Sequence, residues 1–118
     1  MPDEQLQSSV SARRKVITLP AEIDIANARR VGDQLAAAIT PGITLVIADL
    51  SATTFCDSSG IRELALAGRH AAAGGVDFKL VVSSAAVLRV IALTGLDRLL
   101  RIFPSLDQAL ASHAVTAD

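Results

Sequence analysis

Two rhythms alternate along the chain. Short, nearly unbroken apolar runs are separated by longer stretches in which apolar residues return every three or four positions. An unbroken run reads as a strand covered on both faces, and the wider spacing reads as the buried stripe of a helix. Lys15 to Leu19, rich in Val, Ile and Thr, predicts the first strand. Pro20, lacking an N–H, marks an edge, a bulge or the end of regular pairing. Asp24 is expected to cap the first helix, with Ala28, Val31, Leu35, Ala38 and Ile39 inward and Arg29, Arg30, Asp33 and Gln34 outward. Thr40-Pro41-Gly42 stops that helix, and Ile43 to Ala48 follows as a second strand.

A second helix is expected after Asp57. Its inward stripe is Ile61, Leu64, Ala65, Gly68 and Ala72, with Arg62, Leu66 and Arg69 on another face. Gly74-Gly75 closes it, and Phe78 to Val82 predicts a third strand. Ser83 or Ser84 then caps a third helix that turns Val87, Leu88, Ile91 and Leu93 to the core and stops at Thr94-Gly95. Leu99 to Phe103 predicts a short fourth strand, and Ser105 to Gln108 has the spacing of a capping box for a last helix. Val10-Ser11-Ala12 has the character of a short edge strand. Strand and helix alternate throughout, the pattern of an α/β layer fold with right-handed crossovers. Residues 1–14 divide off as an N-terminal arm or edge strand, 15–112 as a single domain and 113–118 as a flexible tail.

Composition narrows the possibilities. The 118 residues are 51% hydrophobic but only 3% aromatic, with Phe55, Phe78 and Phe103 and no Trp or Tyr. The core is therefore aliphatic, and the stacking platforms of a single-stranded nucleic-acid surface are missing. A net charge of −1 offers no attraction for nucleic acid or an anionic membrane. No apolar run approaches the roughly 18–20 residues of a membrane span. Asp3 and Glu4 stand where a signal peptide would be basic, so a cytoplasmic protein is expected. Cys56 is the single cysteine, which leaves no internal disulfide.

Catalytic constellations are absent from the pattern. His70 falls late in the second helix and His113 in the tail, so neither is placed as a base. There is no Gly-x-Ser-x-Gly elbow around Ser58 or Ser59, no Walker-type loop, no Gly-x-Gly-x-x-Gly turn and no set of clustered metal ligands. Neither an enzyme nor a cofactor is expected. What stands out is Thr54-Phe55-Cys56-Asp57-Ser58-Ser59-Gly60-Ile61, at the carboxyl end of the Leu45–Ala48 run, where open α/β sheets carry their functional groups. A helix start needs one capping oxygen, and Asp57, Ser58 and Ser59 supply a surplus. The residues alone leave two readings open, a plain cap or a serine that takes a phosphate.

From Lys15 to Ala111 the chain resembles a STAS domain, in particular the bacterial anti-sigma factor antagonists. The resemblance is carried by Leu19-Pro20-Ala21-Glu22-Ile23-Asp24, Val46-Ile47-Ala48-Asp49-Leu50-Ser51, Phe55-Cys56-Asp57-Ser58-Ser59-Gly60 and Leu93-Thr94-Gly95-Leu96-Asp97-Arg98-Leu99, in that order. It implies a STAS fold, a mixed sheet of about four to five strands flanked by about four helices. It also implies a binding module whose unphosphorylated form binds an anti-sigma factor and so frees a sigma factor. That partner would itself be a serine kinase of the ATP-binding GHKL type. By the same resemblance the kinase phosphorylates Ser58, and a separate serine phosphatase reverses the modification. Asp24, Asp57, Ser59 and Gly60 would then belong to the partner surface, with Arg62 and Leu66 as a further docking face. Ala21 stands where the family commonly has Gly, and Arg62 where a small residue is common. Two alternative readings of this chain are a STAS scaffold or sensor component of a larger signalling assembly and a nucleotide-binding STAS module. The oligomeric state of the free chain is left open.

Overall fold

The structure is a computed structural model that describes residues 13–116. In chain order its elements are β1 (Arg14–Thr18), β2 (Glu22–Ile23), α1 (Ala28–Ala38), β3 (Leu45–Leu50), β4 (Phe55–Cys56) and α2 (Ser58–Ala73). There follow β5 (Asp77–Val82), α3 (Ala85–Thr94), a 3-10 turn (Leu96–Arg98), β6 (Arg101–Phe103) and α4 (Leu106–Thr116). The strands β1-β3-β5-β6 form a parallel sheet in that order, with Val16 opposite Ile47, Ile47 opposite Lys79, and Lys79 opposite Arg101. The short strands β2 and β4 pair separately, also in parallel. This is the α/β layer fold that the alternating pattern predicts. Where a mixed sheet is expected, however, every pairing among the described residues is parallel, because helical crossovers join successive strands of the main sheet. Among the described residues no helix is long and apolar enough to cross a membrane.

The unbroken apolar runs are explained by cover on both faces of the sheet. Val46, Ala48, Leu50, Leu80 and Val82 point into a core shared with Val31 and Leu35 of α1, Leu64 and Ala71 of α2, and Val87 and Ile91 of α3. Leu45, Ile47 and Val81 point the other way, into a smaller cluster with Val16 of β1 and Leu106, Ala109 and Leu110 of α4. Regular pairing of β1 ends at Thr18, just ahead of Pro20.

Several sequence expectations are displaced. α1 begins at Ala28 rather than directly after Asp24. The Asp24 carboxylate instead accepts from the Ala26 N–H at 2.9 Å, and its main-chain oxygen accepts from the N–H groups of Asn27 and Ala28. Asp24 therefore braces a separate turn, a use of an Asx side chain that competes with capping. Ile39 lies beyond the last residue of α1 and is only partly buried. On α2 the buried stripe runs Ile61, Leu64, Ala67 and Ala71, leaving Ala65 and Gly68 half-buried and Ala72 exposed. On α3 only Val87 and Ile91 are buried, while Leu88 and Leu93 face solvent, because this short helix covers the sheet with a single narrow stripe. Its cap is Ser84, whose Oγ accepts from the Val87 N–H. Leu99 is outside β6 and exposed. The expected strand over Val10-Ser11-Ala12 lies outside the described residues.

One charged residue sits inside the apolar layers. Lys79, in the middle of β5, is fully buried on the α4 side of the sheet. Its Nζ donates to the Ala109 carbonyl of α4 at 2.9 Å and lies 5.2 Å from the centre of the Phe103 ring. Burial pushes the Lys79 ammonium below its ordinary value, and the Arg101 charge pushes the same way. The lysine stem thus fills the space between β5 and α4 while its head ties the two together. Lys79→Ala should leave a cavity and cost about 2–5 kcal/mol in a urea denaturation series. Lys79→Met keeps the stem and removes a buried charge, so its cost should stay below about 1.5 kcal/mol.

Candidate functional site

The loops after β1 and after β3 are zipped together by β2 and β4. The buried Thr53 donates through Oγ1 to the Pro20 carbonyl at 2.8 Å. The Thr54 N–H donates to Ala21 O at 2.8 Å, and the Asp57 N–H to Ile23 O at 3.1 Å. Asn27 braces the first loop from behind. Its Oδ1 accepts from the Asp24 N–H at 2.9 Å, and its Nδ2 donates to Glu22 O at 2.8 Å. Asp24 and Asp57, which immediately follow the paired residues Ile23 and Cys56, are thereby held on one rim of the fold.

Asp57 is the residue that caps α2. Its Oδ1 accepts from the backbone N–H groups of Ser59 at 2.9 Å and Gly60 at 3.3 Å, so two of the helix's orphan donors are satisfied by one carboxylate. Ser58 is the first helical residue; its side chain is exposed and its hydroxyl has no hydrogen-bond partner among the described residues. Ser59 is half-buried. Gly60 is buried against β2 and β4, where a Cβ would stand 2.6 Å from Cys56 Sγ and 2.7 Å from Ile23 Cγ2. No side chain fits there without displacing core atoms. Cys56 is itself buried, and burial, with the Asp57 charge adding to it, pushes its thiol up to about 11. A thiol so disfavoured as thiolate is a poor nucleophile and a poor redox centre.

The sequence-predicted residues are brought together only in part. Ser58, Ser59 and Arg62 line one shallow groove between α1 and α2, joined there by Ile25, Arg29 and Glu63. Leu66 follows Arg62 by one turn of α2 and is partly exposed, while Asp24 lies in the neighbouring braced turn. The sequence pattern assigns none of Ile25, Phe55 and Arg29 to the site: Phe55 enters only within the Thr54–Ile61 stretch and Arg29 only on the outward face of the first helix. Ile25 is 83% exposed and Phe55 50% exposed, both large apolar side chains on the rim. The available signal for Ile25 was an isoleucine belonging to no helical stripe, set between the turn-forming Asp24 and Asn27. Among the described residues no cluster of His, Cys, Asp or Glu could hold a metal ion.

This division of labour has measurable consequences. Asp57→Ala should lower stability by about 1 kcal/mol, whereas Ser58→Ala should change it by less than about 0.5 kcal/mol in the same urea titration. Native Cys56 should react with iodoacetamide at mildly alkaline pH about a hundredfold more slowly than in the urea-unfolded chain. Its folded value of about 11 lies above the ordinary 9.0, so the associated stability is full below pH 9 and is lost as pH rises toward 11. A Cys56→Ala variant should lack that decline.

Comparison with known proteins places this arrangement. The sequence profile of the STAS domain matches residues 5–109. Over 95 residues the chain is 32% identical to the anti-sigma-F factor antagonist RsfB of Mycobacterium tuberculosis, covering 80% of this chain and 77% of that protein. The crystal structure of an anti-sigma factor antagonist from Mycobacterium paratuberculosis superposes with a TM-score of 0.78 at 30% identity, over 86% of each chain. The anti-sigma factor antagonist SpoIIAA in its unphosphorylated form shares the fold, with a TM-score of 0.74 at 23% identity over 89% of this chain and 91% of that one. Matched over most of its length in sequence and in the order of its layers, the chain belongs to the STAS domain family, in the company of the bacterial anti-sigma factor antagonists.

Proposed function

We propose that the chain is an anti-sigma factor antagonist, a docking module whose affinity for its partner is switched by phosphorylation of Ser58. The observation that carries this reading is the free Ser58 hydroxyl at the first position of α2, beside an Asp57 that already performs the capping. A group added to Ser58 therefore leaves the helix start intact. The relatives named as anti-sigma factor antagonists support the same reading.

In the unmodified state, Ile25 and Phe55 offer exposed apolar anchors on a rim stiffened by the β2–β4 pairing. Asp24, Asp57 and Ser59 complete that rim, the buried Gly60 supports it from beneath, and Arg62 and Leu66 extend it along α2. The partner is an anti-sigma factor with serine kinase activity of the GHKL type. It transfers the γ-phosphoryl group of ATP to Ser58 Oγ and releases ADP, and a serine phosphatase restores the hydroxyl. Phosphate adds about −1.5 to −2 charges next to Asp57, in a surface that must desolvate on docking. Moving from mostly bound to mostly free takes a differential of up to about 5.5 kcal/mol, within reach of charge repulsion and steric exclusion together.

Incubation with candidate anti-sigma kinases and ATP, read by intact mass, should add one phosphate to wild type and to Ser59→Ala, and none to Ser58→Ala. Equal phosphorylation of Ser58→Ala would sink the site assignment. Ser58→Glu should weaken partner binding by about tenfold or more while its thermal melt stays with wild type.

A further inference from the structure

We propose that the phosphate on Ser58 is gripped by Arg62 and Arg29, so that the modified chain holds its own switch in the off position. The inference rests on Ser58 being the modified residue and concerns what the phosphate then meets. Ser58 and Arg62 are four residues apart in α2, which puts them on one helix face with Cβ atoms about 5–6 Å apart. Arg29 reaches the same place from α1. The two helices pack closely at Gly32, where a Cβ would run into the Glu63 carboxylate, and Arg29 lies one turn before Gly32. Arg29, Ser58 and Arg62 accordingly line a single groove.

Both guanidinium groups are exposed, and neither has a hydrogen-bond or ion-pair partner among the described residues. Two unpaired forks beside one hydroxyl suit a phosphate, whose oxygens accept paired N–H bonds from arginine. The helix terminus offers the phosphate little beyond the Ser58 N–H, since Asp57 already occupies the Ser59 and Gly60 N–H groups, so the arginines are the main donors it meets. The carboxylates around the groove are Asp57, turned to those amides, Asp24, turned to the Ala26 amide, Glu63, which lines the groove and lies over Gly32, and Asp33, one turn beyond Arg29 on α1. The two guanidinium groups act against these. Gripping the phosphate also takes Arg62 away from the docking face, so one modification changes both the charge and the side-chain set a partner meets.

The test installs phosphoserine at position 58 during translation, so no kinase is needed. The phosphorus resonance is then followed through the second phosphate ionisation, near pH 6. Arginines favour the dianion, so the midpoint should fall about half a unit below that of a short phosphopeptide of the same sequence. Arg62→Gln should return most of that shift and Arg29→Gln part of it. Hydrolysis by alkaline phosphatase, in which water takes the phosphoryl group from Oγ as inorganic phosphate, should be about five- to tenfold slower for wild type than for the double variant. A wild-type midpoint equal to the peptide's, or one unmoved by either substitution, overturns the grip even when kinase assays have confirmed Ser58. A kinase that ignores Ser58 instead overturns the switch reading and leaves this measurement standing.

Discussion

α2 can begin where it does because position 60 has no side chain. Gly60 lets the first turn of the helix press directly on Ile23 and Cys56, the inward residues of the two short paired strands. With that contact in place, the loops after β1 and β3 are joined by main-chain bonds from Thr54 and Asp57 to Ala21 and Ile23. Any residue with a Cβ would push the helix off its seat, and the rim carrying Asp24, Ile25 and Asp57 would separate. The precision of the site thus comes from close backbone packing against the core, the kind of support that holds a binding surface in one geometry.

That seat also separates structural duty from functional freedom. A single carboxylate, Asp57, satisfies the amides of Ser59 and Gly60, and the Thr53 hydroxyl anchors the loop to Pro20 O. Ser58, in the same four-residue turn, is left exposed with its hydroxyl unused. A residue that contributes nothing to the fold can be modified without loss of the fold. A charge placed on it then acts on whatever faces the rim, whether a docking partner or the arginines in the groove.

The sheet behind the rim is asymmetric in its cover. Three helices close one face over an aliphatic layer, and α4 closes the other with the help of a buried lysine. Lys79 works there as a long hydrocarbon stem with one donor at its tip, reaching a carbonyl that an aliphatic residue could not bond. Its place could not be read from the run Phe78 to Val82, because a lysine in a strand ordinarily marks a solvated face.

The sequence by itself determined the succession of strands and helices, since unbroken apolar runs and three-to-four spacing follow directly from how each element buries its side chains. It also determined that the Asp57–Gly60 turn opens a helix at a sheet rim, because the surplus of capping oxygens and the glycine are local features. Tertiary structure alone decided which oxygen caps, why Asp24 closes a turn rather than starting α1, and which faces of α2 and α3 are covered. Those outcomes depend on what packs opposite: the Ile23 and Cys56 side chains under Gly60, the Glu63 carboxylate over Gly32, and the narrow stripe left for α3. The meeting of Ile25, Arg29, Ser58 and Arg62 is of the same kind, joining residues from two helices and a turn that no periodicity along one chain could bring together.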